Sequence, residues 1–322
     1  MKRLVSSTML GAVCFFASIG SASALNLDVI TTFDPAQGEI PESITTDSAG
    51  NLYLSIGSTI RKRAPNGAYS VFGTLPIAAF ALGVKVGPDG CVYNTSTSLN
   101  PAVVGAFVWR TCTAGNTQLF ATLDPLGGPN DLAFDDDGNL YVTDPFLGQV
   151  YQVLPNGAVS VWLSDPLLLG NAAAPVLVFH SVGVDGIAFD KHKNNLYFTN
   201  LDYGRILKVP FDCGTHGALS VVASDPLLEG ADGIAFDNPG TLYVAVNAHD
   251  RLVSVSKQGT ITVLAEGGDL DGPSSIVFGA TQSDKHKMYV TSSAFSRWLG
   301  FQTGTPHPAL LRANSKQGLP LP

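Results

Sequence analysis

GADGIAFDNPGTLYVAV, residues 230–246, has the pattern of a β-hairpin. Residues 233–236 form a short apolar run typical of a buried strand, and residues 241–244 form a returning strand. Between these runs lie the turn-forming residues Asn238, Pro239 and Gly240. Asp232 directly precedes the apolar run, and the role of this acid depends on how often the hairpin recurs in the chain.

Six copies of this hairpin are spread along the chain. A tyrosine marks the second strand of each copy, and these tyrosines are Tyr53, Tyr93, Tyr141, Tyr197, Tyr243 and Tyr289. They recur every 40–56 residues, which leaves room for about four short strands per repeat. Repeats of this length are typical of propeller blades, so the sequence predicts an all-β fold, a six-bladed β-propeller.

The sixth repeat lacks an outer strand, because little strand-like sequence follows residues 309–312. Residues 27–32 near the N-terminus resemble the outer strands of the other repeats. We therefore expect this segment to pair into the sixth blade and close the ring, which removes exposed strand edges.

The N-terminus has the pattern of a secretory signal peptide over residues 1–24. Lys2 and Arg3 precede an apolar stretch, and residues 22–24 form a small-residue cleavage site. The propeller is then predicted to span residues 25–322, and the protein to be secreted or periplasmic. No later stretch is long and apolar enough for a transmembrane segment.

The charge of the chain limits its possible partners, and its cysteines limit the possible disulfides. The chain has a net charge of −8 and no basic run, which argues against nucleic-acid binding through phosphates. Cys91 and Cys112 lie in neighbouring predicted strands, where either a disulfide or two separate thiols is possible. Because Cys14 lies in the predicted signal peptide, Cys213 is left over as the odd cysteine.

One residue precedes the inner strand of each repeat, and the six form a ring if the blades surround a channel. In chain order they are Glu42, Leu82, Asn130, Asp185, Asp232 and Ser274. Four carry oxygens suited to Ca²⁺, or to another divalent cation, and no His/Cys cluster suggests zinc. The alternative is that Asp185-Gly186 and Asp232-Gly233 are only turn dipeptides.

These residues carry a family resemblance that spans about residues 27–312. The matching segments are residues 41–42, 128–131, 185–189, 232–236 and 272–279. Together they resemble the senescence marker protein/gluconolactonase (regucalcin-like) group of six-bladed propellers. More distantly, the chain is similar to diisopropyl fluorophosphatase, paraoxonases and strictosidine-synthase-like proteins.

The resemblance implies a divalent cation, usually calcium, bound or surrounded by Glu42, Asn130, Asp185 and Asp232. It also implies a hydrolase of lactones or esters, with the metal polarising the carbonyl. Asp232 is then the expected general base or nucleophile. Relatives commonly carry Asn where this chain has Asp185, so Asp185 is a second candidate catalytic residue.

Two other functions remain open at this point. A propeller can serve as a noncatalytic binding module, since the fold alone does not decide function. A strictosidine-synthase-like enzyme is the other alternative, and it would work without a metal. Converging acids favour the calcium-dependent hydrolase.

The loops above the ring offer further polar residues. The expected substrate-binding residues are His180, Asn200, Asn247 and His249, and Asp144 and Asp202 lie on the same loops. The connection over residues 165–179 is long and apolar, which favours an apolar lactone or ester as the small-molecule substrate. The alternative is that this connection serves only for packing.

Overall fold

Six antiparallel sheets form the blades of a propeller around a central channel. The structure is a computed structural model that describes residues 25–97, 105–177 and 180–319. The first strands of neighbouring blades pack against one another and surround the axis. The predicted all-β, six-bladed β-propeller is confirmed, whereas the predicted signal peptide lies outside the described residues.

The first three blades follow strand β1 (Leu27–Thr32) in chain order. Blade 1 contains β2 (Pro41–Thr46), β3 (Leu52–Ile56), β4 (Thr59–Arg63) and β5 (Tyr69–Thr74). Blade 2 contains β6 (Phe80–Val86), β7 (Val92–Thr97), β8 (Ala106–Thr111) and β9 (Thr117–Thr122). Blade 3 contains β10 (Leu132–Phe134), β11 (Leu140–Asp144), β12 (Gln149–Val153) and β13 (Val159–Ser164).

The last three blades repeat this order. Blade 4 contains β14 (Val184–Phe189), β15 (Asn195–Asn200), β16 (Arg205–Asp212), the short β17 (Thr215–His216) and β18 (Ser220–Ser224). Blade 5 contains β19 (Ala231–Phe236), β20 (Leu242–Val246), β21 (Arg251–Val255) and β22 (Ile261–Glu266). Blade 6 contains β23 (Pro273–Phe278), β24 (Lys287–Ser292) and β25 (Ala309–Asn314).

Helical structure among the described residues is limited to short turns. One α-helical turn, α1, spans Phe295–Trp298. The 3-10 turns are Pro35–Gln37, Pro166–Leu168, Pro226–Leu228 and Asn247–His249. In the first three of these, an aspartate caps the turn and proline follows it, which is a favourable start for a helical turn.

Strand β1 closes the ring, as the sequence predicts. It pairs antiparallel with β25, so that Leu27 lies opposite Ala313 and Thr32 lies opposite Ala309. Blade 6 thereby gains the fourth strand that the end of the chain does not supply. The N- and C-terminal parts of the described chain share one sheet.

The repeated tyrosines pack between blades. Each of the following tyrosine rings meets the edge or face of a phenylalanine on the next blade's inner strand: Tyr93 with Phe134 at 5.0 Å, Tyr197 with Phe236 at 4.9 Å and Tyr243 with Phe278 at 5.3 Å between centroids. These separations are within the range of favourable aromatic pairs. The repeat in the sequence therefore reflects an inter-blade contact that holds the ring together.

The cysteines of the described residues form one disulfide and leave one free thiol. Cys91 and Cys112 form a disulfide, which decides between the two alternatives that the sequence left open. Cys213 is exposed and unpaired. No described helix has the length and apolar character needed to cross a bilayer.

Candidate metal centre

A cavity of about 90 Å³ at one end of the channel brings the predicted ligands together. Glu42, Asn130, Asp185 and Asp232 all line it, and Leu82 and Ser274 of the same ring do so as well. Three of these ligand candidates lie in inner strands β2, β14 and β19, and Asn130 lies just before β10. The rotational repeat of the fold therefore gathers groups that are far apart in sequence.

A β-bulge in the inner strand accompanies each acidic candidate. The pairing register shifts between Pro41 and Ile44, between Val184 and Ile187, and between Ala231 and Ile234. Bulges insert one extra residue and re-aim side chains, often beside functional sites. The sequence did not reveal these bulges.

Gly186 and Gly233, which follow Asp185 and Asp232, allow neighbouring blades to pack closely. A Cβ atom on Gly186 would lie 2.3 Å from the Asp232 carbonyl oxygen, and one on Gly233 would lie 2.5 Å from the Ser274 carbonyl oxygen. Both dipeptides lie inside strands, so their interpretation as simple turn formers is wrong. Glycine is needed there because the next blade's backbone approaches closely.

Four threonines hold the backbones of the four candidate ligands. Each hydroxyl donates from a second strand to the main-chain carbonyl of a ring residue in the following blade: Thr95 to Asn130, Thr143 to Asp185, Thr199 to Asp232 and Thr291 to Glu42. We call these residues the threonine latch. Blade 5 has Ala245 at the equivalent position, and there the next ring residue is Ser274. The latch thus coincides with the four candidate ligands.

Replacing Thr199 by valine is expected to destabilise the protein. The Thr199 hydroxyl accepts from Gly186 N at 2.7 Å and donates to Asp232 O at 2.9 Å, and all of these groups are buried. Valine leaves a buried N–H and a buried carbonyl without this partner, a change that costs about 1–3 kcal/mol. Urea unfolding of Thr199→Val checks this value. The exposed Thr262→Val is the matched control and should change stability by less than about 0.5 kcal/mol; equal losses for both variants would contradict a latch.

The acidic side chains are buried and incompletely partnered. Glu42 is 7% exposed, Asp185 2% and Asp232 8%. Glu42 Oε2, Asp185 Oδ1 and Asn247 Oδ1 are buried without a hydrogen-bond partner. Burying such oxygens is unfavourable unless a positive group compensates them. Carboxylate and amide oxygens are the ligands that a hard divalent cation prefers, so the donor set fits Ca²⁺.

Burial raises the pKa values of all three acids well above their usual range. For Glu42 the loss of hydration is followed by repulsion from Asp185 and Asp131, and for Asp185 by repulsion from Asp131 and Asp202. For Asp232, burial is followed by repulsion from Asp185 and Glu42. Ionised together, these groups destabilise one another, and a bound cation would reverse that effect.

Asp131 is a fourth buried acid that the sequence analysis missed as a site residue. Its oxygens accept from Leu132 N at 2.8 Å and Ile187 N at 3.2 Å. Burial raises its pKa, and nearby Lys85 acts in the opposite direction. The available signal was an acid at a position where blades 2, 4 and 5 carry glycine.

Asn247 lines the cavity and touches a candidate ligand. Its Nδ2 donates to Asp232 Oδ2 at 3.2 Å. It follows β20 directly, at the start of a 3-10 turn. Of the predicted substrate-binding residues, it is the one that lines this cavity.

The other predicted rim residues lie outside the cavity lining. Asn200 donates to the carbonyls of Leu167 and Leu169, both at 2.9 Å. His180 is exposed and stacks on Phe146 at 4.2 Å, and His249 is exposed. Their roles in substrate binding stay predictions.

Asp144 and Asp202 hold loops. Asp144 accepts from backbone N–H groups at positions 128, 146 and 147. Asp202 accepts from those at positions 171, 176 and 182. Both carboxylates therefore stabilise the loops that surround the cavity.

Apolar side chains form much of the remaining lining of the cavity. They are Leu82, Pro145, Phe146, Leu177, Val182, Leu201 and Phe295. No lysine, arginine or histidine of the described residues lines it. The long apolar connection that begins at residue 165 contributes both to packing and to the cavity. Leu168 is fully buried in the core, whereas Leu177 lines the cavity.

Asp89, Cys91 and Cys112 also lie within 4.8 Å of one another. The two sulfur atoms form the disulfide, and Asp89 accepts from Arg110 at 2.6 Å. This group is therefore structural and leaves no thiolate for a metal.

Comparison with known proteins covers most of the chain. The family model for the SMP-30/gluconolactonase/LRE-like region matches residues 81–294. A search of curated proteins found no match.

Solved structures share the fold at low sequence identity. Regucalcin from Agrobacterium tumefaciens, described as a calcium-binding protein, is 17% identical, with 92% of this chain and 98% of that chain covered and a TM-score of 0.65. A gluconolactonase from Xanthomonas campestris is 17% identical, with 94% and 98% covered and a TM-score of 0.60. A luciferin-regenerating enzyme is 16% identical, with 88% and 95% covered and a TM-score of 0.61. These likenesses show a common fold.

Proposed function

The chain belongs to the SMP-30/gluconolactonase/LRE-like family, and from this premise we propose that it is a calcium-dependent hydrolase of lactones or esters. One observation carries the proposal: three buried carboxylates converge on a small cavity with oxygens that lack partners. A scaffold that only binds a protein has no need of such a costly arrangement. Another divalent cation in place of calcium would serve the same chemistry.

Glu42, Asn130, Asp185 and Asp232 would hold the cation. When bound, it supplies a Lewis acid that polarises the substrate carbonyl. Asp232 acts as the general base and takes a proton from the water that attacks the carbonyl carbon. The ring or ester C–O bond then breaks, the leaving oxygen takes up a proton, and a hydroxy acid (or an acid and an alcohol) is released.

Asn247 and Asp185 support this role of Asp232. The bond from Asn247 Nδ2 fixes one carboxylate oxygen, Oδ2, and leaves Oδ1 to accept the proton. Burial, followed by repulsion from Asp185, raises the pKa of Asp232, and a bound cation would oppose both effects and keep Asp232 ionised, as a general base must be before it takes a proton. Asp185 is the second candidate base because it contributes to the same cavity.

The substrate is proposed to be neutral and apolar. Among the described residues, seven apolar side chains line the cavity, and none that lines it is cationic and could attract an anion. Among the polar lining residues, Ser293 Oγ already donates to Gly272 O and Ser274 Oγ to Glu42 O. A sugar lactone would find few unused hydrogen-bonding groups, whereas an alkyl-substituted lactone would contact Phe146 and Phe295.

We propose a secreted or periplasmic location. The disulfide between Cys91 and Cys112 supports an oxidising compartment. The signal-peptide pattern in residues 1–24 supports the same location.

A hydrolysis panel with and without chelator tests the function. We expect purified protein to hydrolyse alkyl-substituted lactones or aryl esters, and chelation to lower the rate by about 100-fold or more, with recovery on adding calcium. Hydrolysis that ignores chelation would instead support a metal-free enzyme. A cation-loaded protein that hydrolyses nothing in the panel would support a noncatalytic binding module.

A further inference from the structure

A second cavity opens at the end of the channel opposite the acidic ring. It has a volume of about 390 Å³, within the ~300–1,000 Å³ typical of small-molecule sites. Its walls come from the far ends of the inner strands, including Ile187, Ile234, Ile276, Phe189 and Phe236. We call this cavity the lower pocket.

One positively charged side chain, that of Lys85, belongs to the ring of residues at the base of the lower pocket. The third residues of the apolar runs form this ring: Thr45, Lys85, Ala133, Ala188, Ala235 and Val277. Lys85 is half-buried, and no acceptor of the described residues lies within hydrogen-bonding or ion-pair distance of its Nζ. Asp131 interacts electrostatically with Lys85 without forming an ion pair with it, and its two oxygens accept from the backbone N–H groups of Leu132 and Ile187.

The mouth of the lower pocket is balanced in charge, with two lysines and two aspartates. Lys191 is exposed there, and Lys193 pairs with Asp136 at 2.6 Å. Asp190 accepts from the backbone N–H of Asn194 and from the side chain of Asn195. With Lys85, the lining has three lysines against two aspartates, although the whole chain has a net charge of −8.

We propose that the lower pocket binds an organic anion with a carboxylate head and an apolar chain. The carboxylate binds Lys85 Nζ through a charge-assisted hydrogen bond. The small side chains of Ala133, Ala188 and Ala235 leave room for the head group, and the isoleucine and phenylalanine walls cover the chain. This site is independent of the proposed hydrolase site at the other end of the channel.

Isothermal titration of the calcium-loaded full chain with decanoate tests the proposal. We expect saturable binding of one decanoate, binding of decanol that is weaker by about 10-fold or more, and no binding of decyltrimethylammonium. Lys85→Met should lower decanoate affinity to that of decanol. The exposed Lys257→Met is the matched control and should bind decanoate like the parent.

A second variant keeps the test decisive if Lys85→Met does not fold. Ala235→Phe fills the base of the lower pocket and should abolish decanoate binding while the melting transition remains cooperative. The parent failing to bind decanoate, or Lys85→Met binding it equally well, would overturn the proposal. Asp232→Asn should retain decanoate binding, which separates this site from the hydrolase.

Discussion

Calcium is expected to raise the melting temperature of the chelator-treated protein by about 5 °C at pH 7.5, and by much less at pH 5. A ligand at about 100 times its Kd stabilises the folded state by about 2.7 kcal/mol, which gives this size of shift in a domain of a few hundred residues. The physical source is the set of three buried acids, Glu42, Asp185 and Asp232. Scanning calorimetry at a series of pH values measures the effect.

The direction of the pH dependence follows from the raised pKa values. In the unfolded chain these acids titrate near 3.8 for aspartate and 4.5 for glutamate, and in the folded protein they titrate higher. Without a cation, their contribution to stability is fully present below the unfolded values and is lost as the pH rises through the folded values. Asp131, whose pKa is also raised by burial, adds its repulsion to all three acids. Calcium binds the ionised form, so its effect grows with pH.

Two results would contradict this account. A calcium-induced shift that is the same at pH 5 and pH 7.5 would mean that these acids do not hold the ion. A chelated protein that becomes more stable as the pH rises from 5 to 7.5 would mean that the acids are not buried together. Magnesium at the same concentration serves as the control for a general effect of divalent charge.

Asp232→Asn and Glu42→Gln should each lower calcium affinity and, in the presence of calcium, thermal stability. Asp232→Asn should also lower kcat by about 100-fold or more, because the proposed general base is lost. In chelator the order of stability should reverse, with both amide variants melting above the parent. An amide removes a buried negative charge that repels its neighbours, and that benefit is visible only when no cation is bound.

This reversal of the order of melting temperatures distinguishes a metal ligand from a residue that only stabilises the fold. A variant that melts lower with and without calcium has lost packing or hydrogen bonds. The exposed Asp269→Asn is the matched control, and it should leave calcium affinity and both melting temperatures unchanged. If Asp232→Asn and Glu42→Gln behave like this control, the site has been assigned to the wrong residues.

Much of the architecture was predictable because the blade is a repeat. The tyrosine spacing predicted six blades, and the missing outer strand of blade 6 predicted the pairing of β1 with β25. The same repeat placed Glu42, Asn130, Asp185 and Asp232 around one axis, where the structure has them. Rotational symmetry converts equal positions in a repeat into neighbours in space.

Other features of the site depend on contacts that the repeat does not encode. The bulges are shifts in the pairing register between the first and second strands of a blade, which the apolar pattern of the repeat does not show. In the sequence Asp131 differs only by standing where blades 2, 4 and 5 have glycine, and its hydrogen bond to Ile187 N depends on how blade 3 packs against blade 4. Asn200 was expected in the site because of its loop, but its amide is directed to the carbonyls of Leu167 and Leu169. Side-chain direction within a loop cannot be read from repeat position.

Closure by β1 also constrains the order of assembly. Asp28 in β1 and Arg312 in β25 pair across a separation of 284 residues, so the first strand synthesised is the last to find its partner. Until then, one edge of β25 has no β-strand beside it and offers its backbone to any other chain. Nascent molecules are thus most prone to strand exchange and aggregation just before completion, and trimming residues 27–32 would make that exposure permanent.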